Sequence, residues 1–322
     1  MITLQDMPDD ILEMIYKHLD IYDSARINLA INKRINISKI TCIYDRCNNV
    51  KIPRSQYKHL IIDYKLFIDE LQSDNFIELY GIKCDDLIDC AKYVNLRFLS
   101  LMKGINTDFR YLSNLLILIC SYCEITNIDS LINLKTLVCD NTTITNVNKL
   151  TKLTILCCTN TNISDVSKLV NLEYLVCDNS KIDDVSMLTN LIELSCARTC
   201  IKDVNKLKKL RFLNCYSTPY IHDISDLPEL TDLSCYNSGV ITISKLYKLK
   251  KLDCSGTNIE SIFDMPELVE LNCEKTFSLR TLTNLPKLNK LEYDKSGLIN
   301  VNHLTSLTEL SCRVTNITKM MI

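Results

Sequence analysis

The sequence predicts an α/β-type repeat: a solenoid of 19-residue units, with a parallel sheet on one face and short 3₁₀ or extended turns on the other, preceded by a small helical segment. Three observations lead there. Cysteine recurs at Cys120, Cys139, Cys158, Cys177, Cys196, Cys215, Cys235, Cys254, Cys273 and Cys312, with Tyr293 in the same register, in steps of 19 or 20 residues. Around each lies one apolar frame, which in a representative unit is Leu191, Leu194, Cys196, Ile201, Val204 and Leu207, with Thr199 between. Ahead of the repeats the period changes, and Ile11, Leu12, Ile15 and Leu19 fall at helical spacing.

In chain order, residues 1–36 read as helix, turn, helix. Pro8 with Asp9 and Asp10 suits a helix start, and a second amphipathic stretch from Ala25 to Ile35 follows Asp23-Ser24. Residues 37–76 read as a linker and irregular cap. Residues 77–322 carry the repeats, at first irregularly through Ile77, Ile82, Leu87 and Cys90, then through Leu96, Leu99 and Leu101. Within a unit, Leu194 and Cys196 alternate as in a strand, so both point inward. Ile201, Val204 and Leu207 recur every three residues, a spacing for tight turns with no room for a full helix. One unit buries too few side chains to offset the entropy of ordering itself, so neighbours must stack. The pattern stops in mid-repeat at Met320-Met321-Ile322, which leaves an expected open edge.

These spacings resemble the leucine-rich repeat, L-x-x-L-x-L-x-x-N-x-L, over roughly residues 77–322, with Cys at the third apolar position and Thr or Ser in place of Asn. In that family the Asn hydrogen-bonds backbone groups of the turn. The resemblance implies similar work for the hydroxyls of Thr142, Thr161, Ser180, Thr199, Thr218, Ser238, Thr257, Thr276, Ser296 and Thr315.

The first segment resembles an F-box through Met7-Pro8, Asp9-Asp10, Ile11-Leu12, Ile15, Leu19, Asp23 and Asn32-Lys33-Arg34. Met7 stands where the family has Leu, and Ile35 where it favours Trp or Phe. The order of the two motifs is similar to F-box/leucine-rich-repeat proteins, including those encoded by large DNA viruses of amoebae. That resemblance implies a substrate-recognition adaptor of a cullin-type ubiquitin ligase. Met7, Pro8, Asp9, Ile11, Leu12, Ile15 and Leu19 would dock a Skp-family adaptor and the repeats would hold a protein substrate. The alternative is a stand-alone leucine-rich-repeat protein-binding module whose N-terminal helices serve only as a cap.

With 322 residues, 47% hydrophobic and 24% charged, the chain has material for a large core. Its 37 Lys and Arg balance 39 Asp and Glu for a net charge of −2, with no basic stripe, which argues against nucleic acid as a partner. The N-terminus lacks the pattern of a signal peptide and no apolar run approaches membrane-spanning length. The expectation is therefore a soluble cytoplasmic protein, in the host cytoplasm if viral, with its 17 cysteines reduced. Cys120-x-x-Cys123 occurs once, and the spacing of Cys42, Cys47, His59, Cys84 and Cys90 matches no zinc signature. No phosphate loop, Gly-x-Ser-x-Gly or His-Glu-x-x-His motif is present, so neither an enzyme nor a cofactor is expected.

With Leu194 and Cys196 inward, the flanking strand positions point outward and form the candidate partner surface. Ile117, Ile119, Val138, Ile155, Tyr174 and Val176 make its first half apolar, and coverage by the N-terminal region or a partner is expected there. Phe212 and Asp253 lie in the second, charged half. Tyr216 and Tyr236, one position beyond the inward cysteine, should stack on neighbouring rungs with Arg198 close by.

Overall fold

The computed structural model describes residues 59–61, 78–83, 93–103, 109–125 and 127–312. The F-box-like residues Met7, Pro8, Asp9, Ile11, Leu12, Ile15 and Leu19 lie outside the described residues, as does Thr315.

The repeats form a parallel 14-stranded sheet whose order follows the chain. Its first strand, His59–Ile61, falls in the segment expected to be linker and cap, and pairs with Glu78–Lys83. Phe98–Lys103 and Ile117–Ile119 follow, and from there each rung contributes three residues. Leu118, Leu137, Leu156, Leu175, Leu194 and Leu213 align across successive strands, each completely buried or nearly so. The cysteines one turn of the pleat later form a second inward column, and every described one from Cys120 to Cys273 is fully buried. Burial pushes the Cys215 thiol up to about 12 and raises Cys139, Cys177 and Cys235 in the same way, so these thiols act as small apolar filling. Tyr293 takes the cysteine place near the end of the sheet and is itself buried.

The chain returns through turns. Val204 O accepts from the Leu207 amide at 3.0 Å and Leu207 O from the Leu210 amide at 3.0 Å; the second bond recurs from rung to rung and the first in the rungs whose turn does not straighten into a strand. Among the described residues there is no α-helix, as the three-residue spacing requires. In the earlier rungs an Asx turn opens this stretch. Asn127, Asn146, Asp165, Asp184 and Asp203 each accept from the amide two residues on. In later rungs the same stretch straightens into strands, Asp223–Ser225 pairing Thr242–Ser244 and Ser261–Phe263 pairing Thr281–Thr283.

The Asx turns make the fold sensitive to acid. The Ser167 and Ser186 amide donors hold the Asp165 and Asp184 carboxyls below the usual carboxylate range. A depressed native pKa gives stability that is present above the unfolded value of about 3.9 and lost as pH falls through the native one. Asp165→Asn with Asp184→Asn keeps both acceptors, as Asn127 and Asn146 do naturally. It should flatten the acid limb of urea midpoints measured from about pH 5 to pH 2; an unchanged limb would contradict this origin.

The hydroxyl column is present. Thr142, Thr161 and Thr199 donate to the carbonyls of Cys139, Cys158 and Cys196 at 2.7 Å, and Ser238 and Thr257 donate to Cys235 and Cys254 at 2.7 and 2.6 Å. Thr276 differs, reaching back one rung to Cys254 O at 3.0 Å. Thr161→Val removes the hydroxyl donor from the Cys158 carbonyl at nearly constant volume, so a loss of about 1–3 kcal/mol is expected in urea unfolding. Thr161→Ser should lose less than half of that.

Two residues past each inward cysteine the backbone turns left-handed. Tyr122, Asn141, Asn160, Asn179, Arg198, Ser217, Asn237, Gly256, Lys275 and Lys295 hold φ between 52° and 67°. Asn tolerates this region best among side-chain-bearing residues, which accounts for its recurrence. The Asn side chains also pair along the column, Asn160 Nδ2 donating to Asn141 Oδ1 at 3.1 Å.

Candidate functional site

The strand face and the turn that follows it hold every described candidate residue. Ile117 and Ile119 flank Leu118, Val138 follows Leu137, Ile155 precedes Leu156, and Tyr174 and Val176 flank Leu175. The parallel register aligns them in two columns, Ile117 with Thr136, Ile155 and Tyr174, and Ile119 with Val138, Cys157 and Val176. Ile117, Ile119, Val138 and Val176 are only 3%, 7%, 4% and 8% exposed, while Ile155 and Tyr174 are half-buried. Those four are therefore closed to solvent.

The open half begins at Phe212. A shallow depression of about 280 Å³ lies there, lined by Phe212, Asp232, Ser234, Lys251, Asp253, Glu270, Asn272, Lys290 and Glu292. Its lysines are paired, Lys251 Nζ to Glu270 Oε1 at 2.8 Å and Lys290 Nζ to Glu292 Oε1 at 3.1 Å. Asp253 accepts from the Ser255 amide at 3.0 Å.

Beside the depression, Tyr216 and Tyr236 stack with ring centroids 5.2 Å apart and planes 5° from parallel. Arg198 caps the pair, its guanidinium carbon 5.2 Å from the Tyr216 centroid and its Nη2 donating to the Tyr216 hydroxyl at 3.4 Å. That contact holds the Tyr216 hydroxyl below its usual range and raises Arg198. The turn beneath is fixed by Asp178, which accepts from the Ala197 amide and the Ser195 hydroxyl, both at 2.6 Å.

Arg198 occupies a left-handed position that the three rungs before it give to Asn. Arg198→Asn should relieve the strain of a left-handed position while losing an exposed cation–π contact. The expected urea midpoint is therefore almost unchanged; a clear shift in either direction would contradict this balance.

Sequence reasoning missed the left-handed column and the role of Asp178. Recurrent Asn two places after Cys was the available signal for the first; for the second it was Cys-Asp-Asn, present at 139–141 and 177–179, where Asp140 accepts from the Thr159 amide at 2.7 Å as Asp178 does from Ala197. The histidines at turn positions are exposed and tie rungs together, His222 Nδ1 to Gly239 O at 2.9 Å and His303 Nε2 to Leu282 O at 2.6 Å. Cys120 and Cys123 are both buried, and among the described residues no three His, Cys, Asp or Glu side chains are grouped to hold a metal ion.

No family model matches the sequence, and no curated protein matches it. Solved structures do. The functional domain of InlJ from Listeria monocytogenes, described as including a cysteine ladder, aligns with TM-score 0.64 and 25% identity over 76% of this chain and 64% of that one. An internalin, InlF, from the same organism aligns with TM-score 0.57 and 22% identity, covering 78% of this chain and 90% of that one. YopM from Yersinia enterocolitica aligns with TM-score 0.57 and 19% identity, covering 80% and 62%. The chain thus spans less than two thirds of the InlJ domain and of YopM. In fold it is a leucine-rich-repeat-type solenoid with parallel-sheet turns of about 19 residues.

Proposed function

We propose that the chain is a non-catalytic, protein-binding solenoid serving as a substrate-recognition adaptor of a cullin-type ubiquitin ligase. The observation that carries the binding role is the open half of the strand face. There a depression and a preformed Arg198–Tyr216–Tyr236 stack lie side by side on a continuous sheet. Arg and aromatic side chains are the usual anchors of protein interfaces. The adaptor role rests on the F-box-like order of residues 7–34 immediately ahead of the repeats. An adaptor accelerates modification by holding its substrate near the enzyme that carries ubiquitin, which asks for no acid, base or nucleophile in this chain. A reducing cytoplasm suits a column of stacked, buried thiols.

A second reading is favoured by Ile35, which stands where an F-box has an aromatic anchor. On that reading residues 1–36 only cap the first rung of a stand-alone binding module. Deleting residues 1–36 separates the two. The adaptor reading expects a folded rod with unchanged circular dichroism and lost Skp binding; a rod that unfolds or aggregates supports the cap.

A further inference from the structure

We infer that the open half of the strand face takes a basic segment of its partner, extended chain carrying Arg or Lys; this rests on the reading of that face as a protein-binding surface. Charge is the first argument. From Asp232 onward the outward strand positions supply Asp232, Asp253, Glu270, Glu292 and Glu309 against Lys251 and Lys290. Both lysines are already neutralised by Glu270 and Glu292. Asp232 and Asp253 receive neutral donors, the Thr231 hydroxyl at 2.7 Å and the Ser255 amide and hydroxyl. The whole chain is close to neutral at −2, so this acidic excess belongs to the face and not to the protein at large. An acidic or phosphate-bearing partner would meet repulsion here.

Geometry is the second argument. Asp232 lies opposite Lys251, and Asp253 lies opposite Ser234, so the two carboxylates sit on one face in a diagonal relation across adjacent strands. With strands about 4.8 Å apart and a rise of about 3.3 Å per residue, such neighbours lie about 8 Å apart. A guanidinium, with five donors on a planar fork, bridges such a pair where a single ammonium reaches one. Phe212, opposite Asp232 on the preceding strand, adds an aromatic wall to the same depression. The chain already shows the contact such a wall would make, since Arg198 lies over Tyr216 one turn away.

The test is fluorescence anisotropy on the full chain with two fluorescein-labelled probes, a peptide alternating Arg and Ser and its counterpart alternating Glu and Ser. The Arg peptide is expected to bind, and Asp232→Asn with Asp253→Asn should weaken it by about tenfold or more. Circular dichroism should be unchanged, because both positions keep an acceptor. Asp129→Asn with Asp226→Asn removes the same charge away from the strand face and should leave binding within about twofold. Equal losses in both variants would overturn the inference, by showing general attraction to the chain. No binding of the Arg peptide would overturn it as well. Preference for the Glu peptide, abolished by Phe212→Ser, would overturn the basic partner while leaving the protein-binding face standing. Peptide binding that no variant of this face alters, Phe212→Ser included, would overturn both.

Discussion

Leu194→Ala is expected to cost about 2–5 kcal/mol in urea unfolding followed by circular dichroism. Leu194 is fully buried between Leu175 and Leu213 on the adjoining strands, with Cys196 beside it in the same rung. The parallel sheet fixes the spacing of the rungs, so the strand cannot collapse into the space left behind, and the cost should fall in the upper part of that range. The effect should also spread: each rung is held only by its neighbours, so a weak rung in mid-sheet uncouples the two halves and broadens the transition. Leu310 fills the same register in the last described strand but is 41% exposed. Leu310→Ala should therefore cost less than about 1 kcal/mol. Equal costs at the two positions would contradict stacking as the source of stability.

Gly239→Ala should destabilise the chain by about 1–3 kcal/mol, through backbone contact and not through loss of packing. Two rungs are one residue longer than their neighbours, and both carry the extra residue at the corner after the column hydroxyl, where Thr218-Pro219-Tyr220-Ile221 and Thr276-Phe277-Ser278-Leu279 replace the shorter Thr199-Cys200-Ile201. The bulged corner pushes a carbonyl against the following rung. A Cβ on Gly239 would stand 2.2 Å from Pro219 O, and one on Gly297 would stand 2.4 Å from Phe277 O. Both glycines donate to the rung behind, Gly239 to Thr218 O at 2.9 Å and Gly297 to Thr276 O at 3.0 Å, so neither can move away without losing a ladder bond. Gly256, at φ 67° and with Asn237 only at an ordinary contact distance of 3.6 Å from an added Cβ, is a different case, and Gly256→Asn should be tolerated as in the rungs that carry Asn there. Removing Pro219 together with Gly239→Ala should restore most of the loss, since the shortened corner no longer advances its carbonyl; no recovery would contradict the corner clash.

These elements show how far the sequence could be read. The inward columns were legible because a 19-residue period repeats Leu and Cys often enough to fix register, and register in a parallel sheet decides which side chains face out. The Tyr216–Tyr236 stack followed from the same counting, one place past Cys215 and Cys235. The hydroxyl column was legible as a pattern, though the reach of Thr276 back to Cys254 was not, since it depends on the bulged corner beside it. The closed state of Ile117, Ile119, Val138 and Val176 is a tertiary property that no single rung encodes. The straightening of turns into Asp223–Ser225 and Thr281–Thr283 was missed, because short polar stretches such as Asp-Ile-Ser serve an Asx turn or a strand with little preference. The coupling of longer rungs to the glycines that follow them is written in the sequence, yet its reason appears only when the carbonyl of one rung is placed against the next.

Pull-down of a purified Skp-family adaptor by the full chain, beside an Ile11→Asp, Leu12→Asp variant, tests the adaptor role most directly. Circular dichroism on both proteins establishes that the repeats are folded. The expected result is binding by the full chain that is lost in the variant while the dichroism of the rod is retained. A folded full chain that captures no Skp-family protein would contradict the adaptor role and leave residues 1–36 as the cap of a binding module.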